Sequence, residues 1–296
     1  MLLSNDNPFK KIVRSAMVNM SPTLYFTQLY VRYRHRWPNF KHPKDLSEIV
    51  MSEIINGKIK DYAPYVDKVK VREYIEAWGL GNYLPKLYGV WENAEDINFD
   101  TLPDKFALKT NHGCGGHMFC HGKSSFDTEL ARKQMKELLQ MRYGGRQEPH
   151  YRLIKPLVYA EELLEEPGVK QPFDYKFMCC DHEIKFILFT SERGTTDVGV
   201  KLNAYSTDWK KLDYMKGPEA STKDYPCPPQ AEMQEMIKIA QTIALKFEHV
   251  RVDLYDIKGK IYIGELTFTP EGGIMNYFTN EGVEAAGHKD IKIETD

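Results

Sequence analysis

Two carboxylates near the end of the chain are the residues best placed to do chemistry. Asp253 and Glu265 each interrupt a run of alternating apolar residues, and the Lys258-Gly259 dipeptide between the runs is typical of a hairpin turn. Paired strands would hold the two carboxylates side by side. Buried carboxylates without partners are costly, so their presence in an apolar pattern suggests a function. With the Thr267 hydroxyl they form a set of hard oxygen ligands that suits Mg²⁺, and Mg²⁺ suits a bound nucleotide.

A cation accompanies these carboxylates on the same predicted strand. Arg251 lies two residues before Asp253, so its side chain should project from the same face. A cation in that position would bind an anion held by the metal. The hairpin also fits a plainer interpretation, a sheet with charges at its solvated edge, because alternating polar residues are ordinary in antiparallel sheets.

A glycine-rich loop is the second feature that could bind a nucleotide. The sequence TNHGCGG, from Thr110 to Gly116, follows a short predicted strand that ends at Lys109. Such a loop can fold its backbone N–H groups over phosphates, with Lys109 supplying charge at its base. A glycine-rich turn without a ligand explains the same residues, because glycine marks any tight turn. The candidate nucleotide-binding residues here are Lys109, Asn111, Gly113, Gly115 and Gly116.

The same loop permits a zinc hypothesis. Histidine and cysteine recur within ten residues, at His112, Cys114, His117, Cys120 and His121. Their spacing matches none of the usual paired zinc-ligand plans, and no second ligand pair stands elsewhere in the sequence. A plain loop that carries these residue types is therefore the favoured interpretation.

An apolar strand that ends in acids is a candidate for the adenine-binding hinge. The sequence PLVYAEELL, from Pro156 to Leu164, runs into Glu161 and Glu162. A backbone C=O, a backbone N–H and a carboxylate at a strand end could together hold adenine. The alternative is an ordinary polar strand end, since connecting segments are usually polar and exposed.

The most basic part of the chain lies near its beginning, after a predicted cationic amphipathic helix over residues 9–20. Aromatic residues interleave the cations Arg32, Arg34, Arg36, Lys41 and Lys44, and no acid interrupts them. The plain interpretation is a solvated helix face. The alternative is a surface for an anionic glycan or for lipid headgroups at the inner membrane face, with Arg32, Arg34 and Arg36 recruiting the acceptor.

Composition excludes several classes of protein. The chain has 296 residues, a net charge of −2 and five cysteines. Near-neutral charge gives no support for nucleic-acid binding. An odd number of cysteines argues against a disulfide framework, and the sequence contains neither a signal-like start nor a long apolar run. These observations predict a cytoplasmic protein.

Five segments in this order resemble the ATP-grasp superfamily, and more closely its teichuronopeptide-type (TupA-like) branch. They are DKVKVREY from Asp67, LPDKFALKTNHG from Leu102, YAEELLEE from Tyr159, DYKF from Asp174 and VRVDLYDIKGKIYIGELTFTPEGG from Val250. The resemblance implies an α+β ATP-grasp fold, in which two α+β subdomains grip ATP. It also implies a division into a helical N-terminal region (1–60), a preceding segment (61–105), a lid subdomain with the glycine-rich loop (106–162) and a catalytic core subdomain (163–296).

The resemblance assigns roles to the candidate residues. Lys68 and Lys109 would bind the nucleotide phosphates, and Lys176 would add charge near them. The segment from Glu161 to Leu164, including Glu162, would form the adenine hinge, and Asp174 would face the ribose.

The same resemblance assigns the metal site. Asp253 and Glu265 would hold two Mg²⁺ ions, and Arg251 would steady a reacting acyl phosphate. Many ATP-grasp ligases have Asn where this chain has Thr267, and a neutral hydroxyl is a poorer metal ligand.

These roles imply an ATP-dependent carboxylate–amine ligase. It would join an amino acid or amine to a uronic acid of a surface (capsular or cell-wall) polysaccharide or its lipid-linked precursor. Two enzyme alternatives are a kinase on the same scaffold and a glycosyltransferase of the same pathway, although the sequence has no D-x-D motif. A nucleotide-binding adaptor is the non-enzyme alternative.

Overall fold

The computed structural model describes residues 21–113, 115–165, 172–193 and 199–288, so the predicted helix over residues 9–20 and Cys114 lie outside the described residues. The helices are α1 (Pro22–Arg34), α2 (Leu46–Asn56), α3 (Ala63–Val66), α4 (Val71–Ala77), α5 (Thr128–Gln140), α6 (Gln230–Ala244) and α7 (Asn280–Ala285). The strands are β1 (Leu87–Trp91), β2 (Phe106–Thr110), β3 (Met118–Cys120), β4 (Val158–Glu161), β5 (Asp174–Cys180), β6 (Glu183–Ser191), β7 (Lys201–Tyr205), β8 (Lys211–Leu212), β9 (His249–Ile257) and β10 (Lys260–Thr267). Within these ranges no helix has the length and apolar character needed to cross a membrane.

The smaller sheet carries the glycine-rich loop. Its strand order is β1-β4-β2-β3, and all its pairs are antiparallel. Helix α5 begins after Asp127, whose carboxylate accepts the backbone N–H of Leu130 at 2.9 Å, a typical N-cap. The helix packs against the sheet through a shared apolar core that includes Met135 and Leu108. The loop between β2 and β3 is therefore attached to a supported sheet.

The larger sheet carries the predicted metal hairpin. Its order is β10-β9-β5-β6-β7-β8, again antiparallel, so β9 lies between β10 and β5. One face packs on α6 through residues such as Val252 and Phe177. The opposite face is apolar where β5 to β7 meet α2 and the segment around Phe278, and polar where β5, β9 and β10 run side by side. The α+β architecture predicted from the sequence is confirmed.

The hairpin of β9 and β10 forms as the sequence predicts, with one addition. Lys258 and Gly259 both have positive φ values, 54° and 81°, as a two-residue type I′ turn requires. Between Ile263 and Glu265 the register shifts by one residue, so that Glu265 rather than Gly264 pairs with Asp253. This β-bulge places both carboxylates on the polar face of the sheet.

Most predicted helix boundaries are confirmed. Ser21 caps α1, and α2 begins after Asp45 and ends at Gly57 in the left-handed conformation. The helix predicted from Asp67 to Trp78 is shorter, because α4 begins only at Val71. The Asp67 carboxylate instead accepts the backbone N–H groups of Val69 and Lys70, and these contacts hold a turn ahead of the helix.

The hypothesis of an exposed basic surface is wrong for Arg34, whereas Arg36 keeps a 37% exposed side chain and is held in ion pairs. Arg34 is 2% exposed and donates hydrogen bonds to the carbonyls of Phe278 and Met275, at 2.9 and 2.8 Å. Arg36 forms an ion pair with Asp45 at 2.7 Å and another with Glu284. A charge run usually marks a solvated face, but here distant carbonyls and carboxylates in the fold provide partners for these cations.

Candidate active site

The predicted metal cage is assembled on the polar face of the larger sheet. The Arg251 guanidinium donates to both oxygens of Asp253, at 2.6 and 2.7 Å, in a bidentate pair. Its Nη2 also lies 3.2 Å from Glu265 Oε1 and 3.1 Å from Thr267 Oγ1. Two carboxylates and a hydroxyl therefore converge around one guanidinium, as the spacing predicts.

Strand β5 adds a buried lysine to this cage. Lys176 stands opposite Asp253 in the register of β5 and β9, and its ammonium forms an ion pair with the Asp253 carboxylate. The same ammonium lies 3.1 Å from Asp174 Oδ2, and Arg193 forms an ion pair with that oxygen as well. Asp174 is thus a buried, paired carboxylate next to the cage, and its predicted contact with ribose stays a prediction.

The charges around Glu265 keep it ionised. Its side chain is 38% exposed. Partial burial opposes ionisation, but the nearby cations Lys68, Arg251 and Lys176 outweigh it and hold the Glu265 pKa at about 2. Burial lowers the pKa of Lys176, and Asp253 opposes that shift. A carboxylate that stays anionic at every physiological pH is suited to holding a divalent cation.

The glycine-rich loop is held against the cage by Lys68. The Lys68 ammonium donates to the carbonyl oxygen of Gly113 at 2.9 Å and lies 3.8 Å from Glu265 Oε2. Gly113 has no room for a Cβ, which would overlap the ring of Tyr143. Gly115 and Gly116 have positive φ values of 77° and 68°, where glycine is favoured.

The Asn111 side chain is held by hydrogen bonds within the protein. Its amide nitrogen donates to Asp67 Oδ1 at 2.9 Å and to the Lys155 carbonyl at 3.1 Å, and its Oδ1 accepts the Leu157 N–H at 2.8 Å. Both amide hydrogens are therefore used within the protein. A nucleotide contact from the Asn111 side chain, as the sequence suggested, would require these bonds to break.

A second ion-paired group lies on the smaller sheet. Lys109 Nζ is 2.8 Å from Glu161 Oε1, and Arg72 Nη1 is 3.6 Å from Glu161 Oε2. The two residues predicted to bind phosphate and adenine are thus neighbours across β2 and β4. Arg72 was not predicted, although it lies in the DKVKVREY segment with Lys68.

The predicted adenine hinge is fixed by contacts on both sides. The Glu162 carboxylate accepts the Tyr262 hydroxyl at 2.9 Å, and the Glu162 N–H donates to the Lys86 carbonyl at 2.8 Å. Leu164 follows in a half-buried segment without regular secondary structure. With the Glu162 N–H in use, a backbone N–H donated to adenine would come from a residue after it.

Two further residues near the cage were not predicted as part of it. Burial, with help from Lys109 and Lys68, lowers the His117 pKa to about 4, so the imidazole is neutral at pH 7. Burial raises the pKa of Glu148, which lies 3.5 Å from Thr269 Oγ1. Glu148 stands in a loop without periodic pattern, so the sequence offered no signal for it.

The zinc hypothesis for the loop receives no support from the described residues. Cys120 donates to the Asp104 carbonyl at 3.4 Å, His121 pairs with Glu165 at 2.5 Å, and His112 contacts the Met141 carbonyl at 3.3 Å. These side chains do not converge. The favoured interpretation, a plain loop, agrees with these contacts.

The fold and the cage together define an ATP-grasp protein. A family model described as TupA-like ATPgrasp matches residues 48–289, so the chain belongs to the TupA-like ATP-grasp family. This match confirms the resemblance given by the five sequence segments. A comparison with curated proteins found no match.

Solved structures with similar folds include several ligases. An L-amino acid ligase from Bacillus licheniformis is 13% identical with a TM-score of 0.46, over 92% of this chain and 57% of that one. A D-alanine–D-alanine ligase from Bacillus anthracis complexed with ATP is 18% identical with a TM-score of 0.41, over 70% of this chain and 56% of that one. The chain thus spans less than two thirds of the length of either protein.

Proposed function

We propose that the protein is an ATP- and Mg²⁺-dependent ligase that joins an amine or amino acid to a carboxylate through an acyl phosphate. The observation that carries this proposal is the convergence of Asp253, Glu265 and Thr267 around Arg251, with Lys176 paired to Asp253. Phosphoryl transfer needs positioning and charge neutralisation rather than a nucleophilic side chain, and these residues supply both.

The oxygen donors fit magnesium. The Asp253 and Glu265 carboxylates converge on Arg251, with the Thr267 hydroxyl beside them, and Glu265 is ionised at any physiological pH. Bound there, Mg²⁺ would neutralise charge on the phosphates during transfer. We propose that the site takes two ions, held mainly by the two carboxylates.

The remaining residues have distinct proposed roles. Lys68 contacts the Gly113 carbonyl, and Lys109 lies on the strand that leads into the glycine-rich loop. Both would bind phosphate oxygens. Arg251 has a bidentate fork that can turn from Asp253 toward the oxygens of an acyl phosphate. The loop from Asn111 to Gly116 would cover the reacting groups and exclude water, which would otherwise hydrolyse the acyl phosphate.

The carboxylate substrate is proposed from the family resemblance. The TupA-like branch is associated with bacterial surface polysaccharide, so we propose a uronic acid of such a glycan or its precursor as the acid. The amine would be an amino acid or a simple amine. Action on a lipid-linked precursor would bring a cytoplasmic protein to the inner membrane face, although the burial of Arg34 removes one of the residues suggested for that contact.

The test is a matrix of uronic acids and amines with ATP and Mg²⁺. A ligase releases ADP and phosphate and forms an amide only when both substrates are present, and hydroxylamine in place of the amine should trap the acyl phosphate as a hydroxamate. A stable phosphorylated product would indicate a kinase, dependence on a nucleotide sugar would indicate a glycosyltransferase, and no turnover with any pair would favour an adaptor.

A variant pair tests the metal cage itself. Glu265→Gln keeps the shape of the side chain and removes its charge, so we expect turnover to fall at least ~100-fold with folding preserved. Glu129→Gln is the matched control, because Glu129 is 89% exposed at the start of α5. Near-normal turnover of Glu265→Gln with Mg²⁺ would refute the assignment of this cage as the metal site.

A further inference from the structure

A separate cluster of metal-ligating side chains lies at the other end of β5. Cys180 is the last residue of that strand, four residues beyond Lys176 and thus about 13 Å along it. Cys180 Sγ lies 3.7 Å from His288 Nδ1 and 3.9 Å from Asp181 Oδ1, and these last two atoms are 2.5 Å apart. Thiol, imidazole and carboxylate thus present one ligand atom each to a common point.

We propose that Cys180, Asp181 and His288 bind a divalent transition metal ion of the zinc class. Tetrahedral zinc has bonds of about 2.0–2.3 Å, which place neighbouring ligand atoms roughly 3.3–3.8 Å apart. The distance from sulfur to His288 Nδ1, 3.7 Å, matches this geometry, and the distance to Asp181 Oδ1, 3.9 Å, would shorten slightly. The Asp181–His288 contact would open by less than about 1 Å as a hydrogen bond is exchanged for two metal bonds. A thiolate and an imidazole select zinc over magnesium, so this ion would differ from the one in the cage.

The neighbours of the cluster orient its ligands. Lys185 Nζ lies 3.1 Å from Asp181 Oδ2, on the oxygen that does not face the cluster. His288 Nε2 lies 3.9 Å from Glu248 Oε1, and the other oxygen of Glu248 is held by Lys58 at 2.6 Å. A carboxylate beside the second imidazole nitrogen is the usual outer partner of a metal-bound histidine. Metal binding would displace the proton between Nδ1 and Asp181, and the N–H at Nε2 would then face Glu248.

The bound ion would fasten two distant parts of the chain. Cys180 and Asp181 follow the strand that carries Lys176, whereas His288 lies beyond α7 and donates its backbone N–H to the Lys44 carbonyl at 2.9 Å. The ion would therefore fix the segment after α7 to the larger sheet.

Titration of the full-length protein with Zn²⁺ and with Co²⁺, without ATP or Mg²⁺, tests this proposal. We expect one equivalent of tightly bound metal, a sulfur-to-cobalt charge-transfer absorption, and a higher thermal midpoint with metal than without. Cys180→Ser should abolish the charge-transfer band. It should weaken binding by more than the ~10- to 100-fold typical of losing an outer partner, because a direct ligand is removed.

Controls separate this cluster from other thiols. Cys227→Ser removes an exposed cysteine, and Cys114→Ser removes the cysteine of the histidine-rich loop; both should retain the equivalent and the absorption band. His288→Gln removes a partly exposed ligand and gives a second variant should Cys180→Ser fold poorly. The proposal is overturned if the wild-type protein binds no stoichiometric metal, or if His288→Gln binds it as tightly as wild type. Loss of the band in Cys114→Ser but not in Cys180→Ser would assign the metal to the loop instead.

Discussion

Replacing Arg34 by Gln should destabilise the protein far more than replacing Arg32, two residues earlier on the same helix. The Arg34 guanidinium lies in the interior. It donates three short hydrogen bonds to the carbonyls of Ile274, Met275 and Phe278, at 2.5, 2.8 and 2.9 Å, and a longer one to the Thr279 carbonyl at 3.5 Å. These residues follow strand β10, which carries Glu265 and Thr267. Arg34 therefore ties helix α1 to the segment immediately behind the proposed active site.

The size of the effect follows from the acceptors that would be left behind. A buried carbonyl without a donor costs about 1–3 kcal/mol, and three such groups are at stake. Gln is shorter and can satisfy at most part of them, while water entry recovers another part. We expect a loss of ~3–5 kcal/mol in the free energy of unfolding, as for other buried charged networks that lose one partner. Since domains are stable by only about 5–15 kcal/mol, this is a large fraction of the total.

Urea unfolding at pH 7 measures this difference. Arg32 is exposed, so Arg32→Gln should change the free energy of unfolding by no more than about 0.5 kcal/mol and serves as the control. A loss below ~1 kcal/mol for Arg34→Gln would refute the structural role. If that variant folded normally but bound a long anionic acceptor more weakly, the surface hypothesis for the basic run would be restored for this residue.

Three further predictions concern single residues. Lys109→Ala should weaken ATP binding ~10- to 100-fold in calorimetry, the worth of a hydrogen bond from a charged group, and leave adenosine binding nearly unchanged; equal losses would indicate damage to β2. His150 is fully buried, and desolvation lowers its pKa from 6.5 to about 4. As the pH falls, the unfolded chain therefore binds the proton before the folded protein does. The folded protein loses stability between pH 6.5 and pH 4. The neutral His150 contributes on the order of 3 kcal/mol to the free energy of unfolding above this pH range. His150→Phe should therefore make the free energy of unfolding, measured by urea titration, depend less on pH between 6.5 and 4. An unchanged pH dependence would show that His150 is not its source. Gly264→Ala should reduce turnover more than stability. A Cβ would lie 2.5 Å from the Tyr255 ring and disturb the bulge that aligns Glu265. A variant with normal turnover would show that the bulge tolerates a side chain.

The hairpin shows how much a local pattern can predict. The Lys258-Gly259 turn and the apolar alternation predicted the pairing of Asp253 with Glu265, and the register confirms it. The bulge was missed, yet its signal is in the sequence. Apolar residues occur at Ile261 and Ile263 and then at Leu266 and Phe268, a step of three where a regular strand steps by two.

Other features depend on contacts that no local pattern contains. The partners of Arg34 lie about 240 residues further along the chain, so the sequence around it reads as an ordinary solvated cationic helix. Glu148 reaches the site from an irregular loop, and Asp181 meets His288 only because α7 returns to the larger sheet. Secondary structure and the core of the site follow from periodicity and residue type, whereas these pairings follow from topology.

The charges of the cage are balanced by contacts within the protein. Asp253 is bound by Arg251 and Lys176, and Glu265 lies near Arg251 and Lys68, so each carboxylate is already neutralised by a cation from another strand or loop. In the proposed reaction a divalent ion would replace those cations at the carboxylates, and each displaced cation would have an anionic phosphate as its new partner. Because charge is exchanged rather than created, the buried groups need not be left unpaired at any stage.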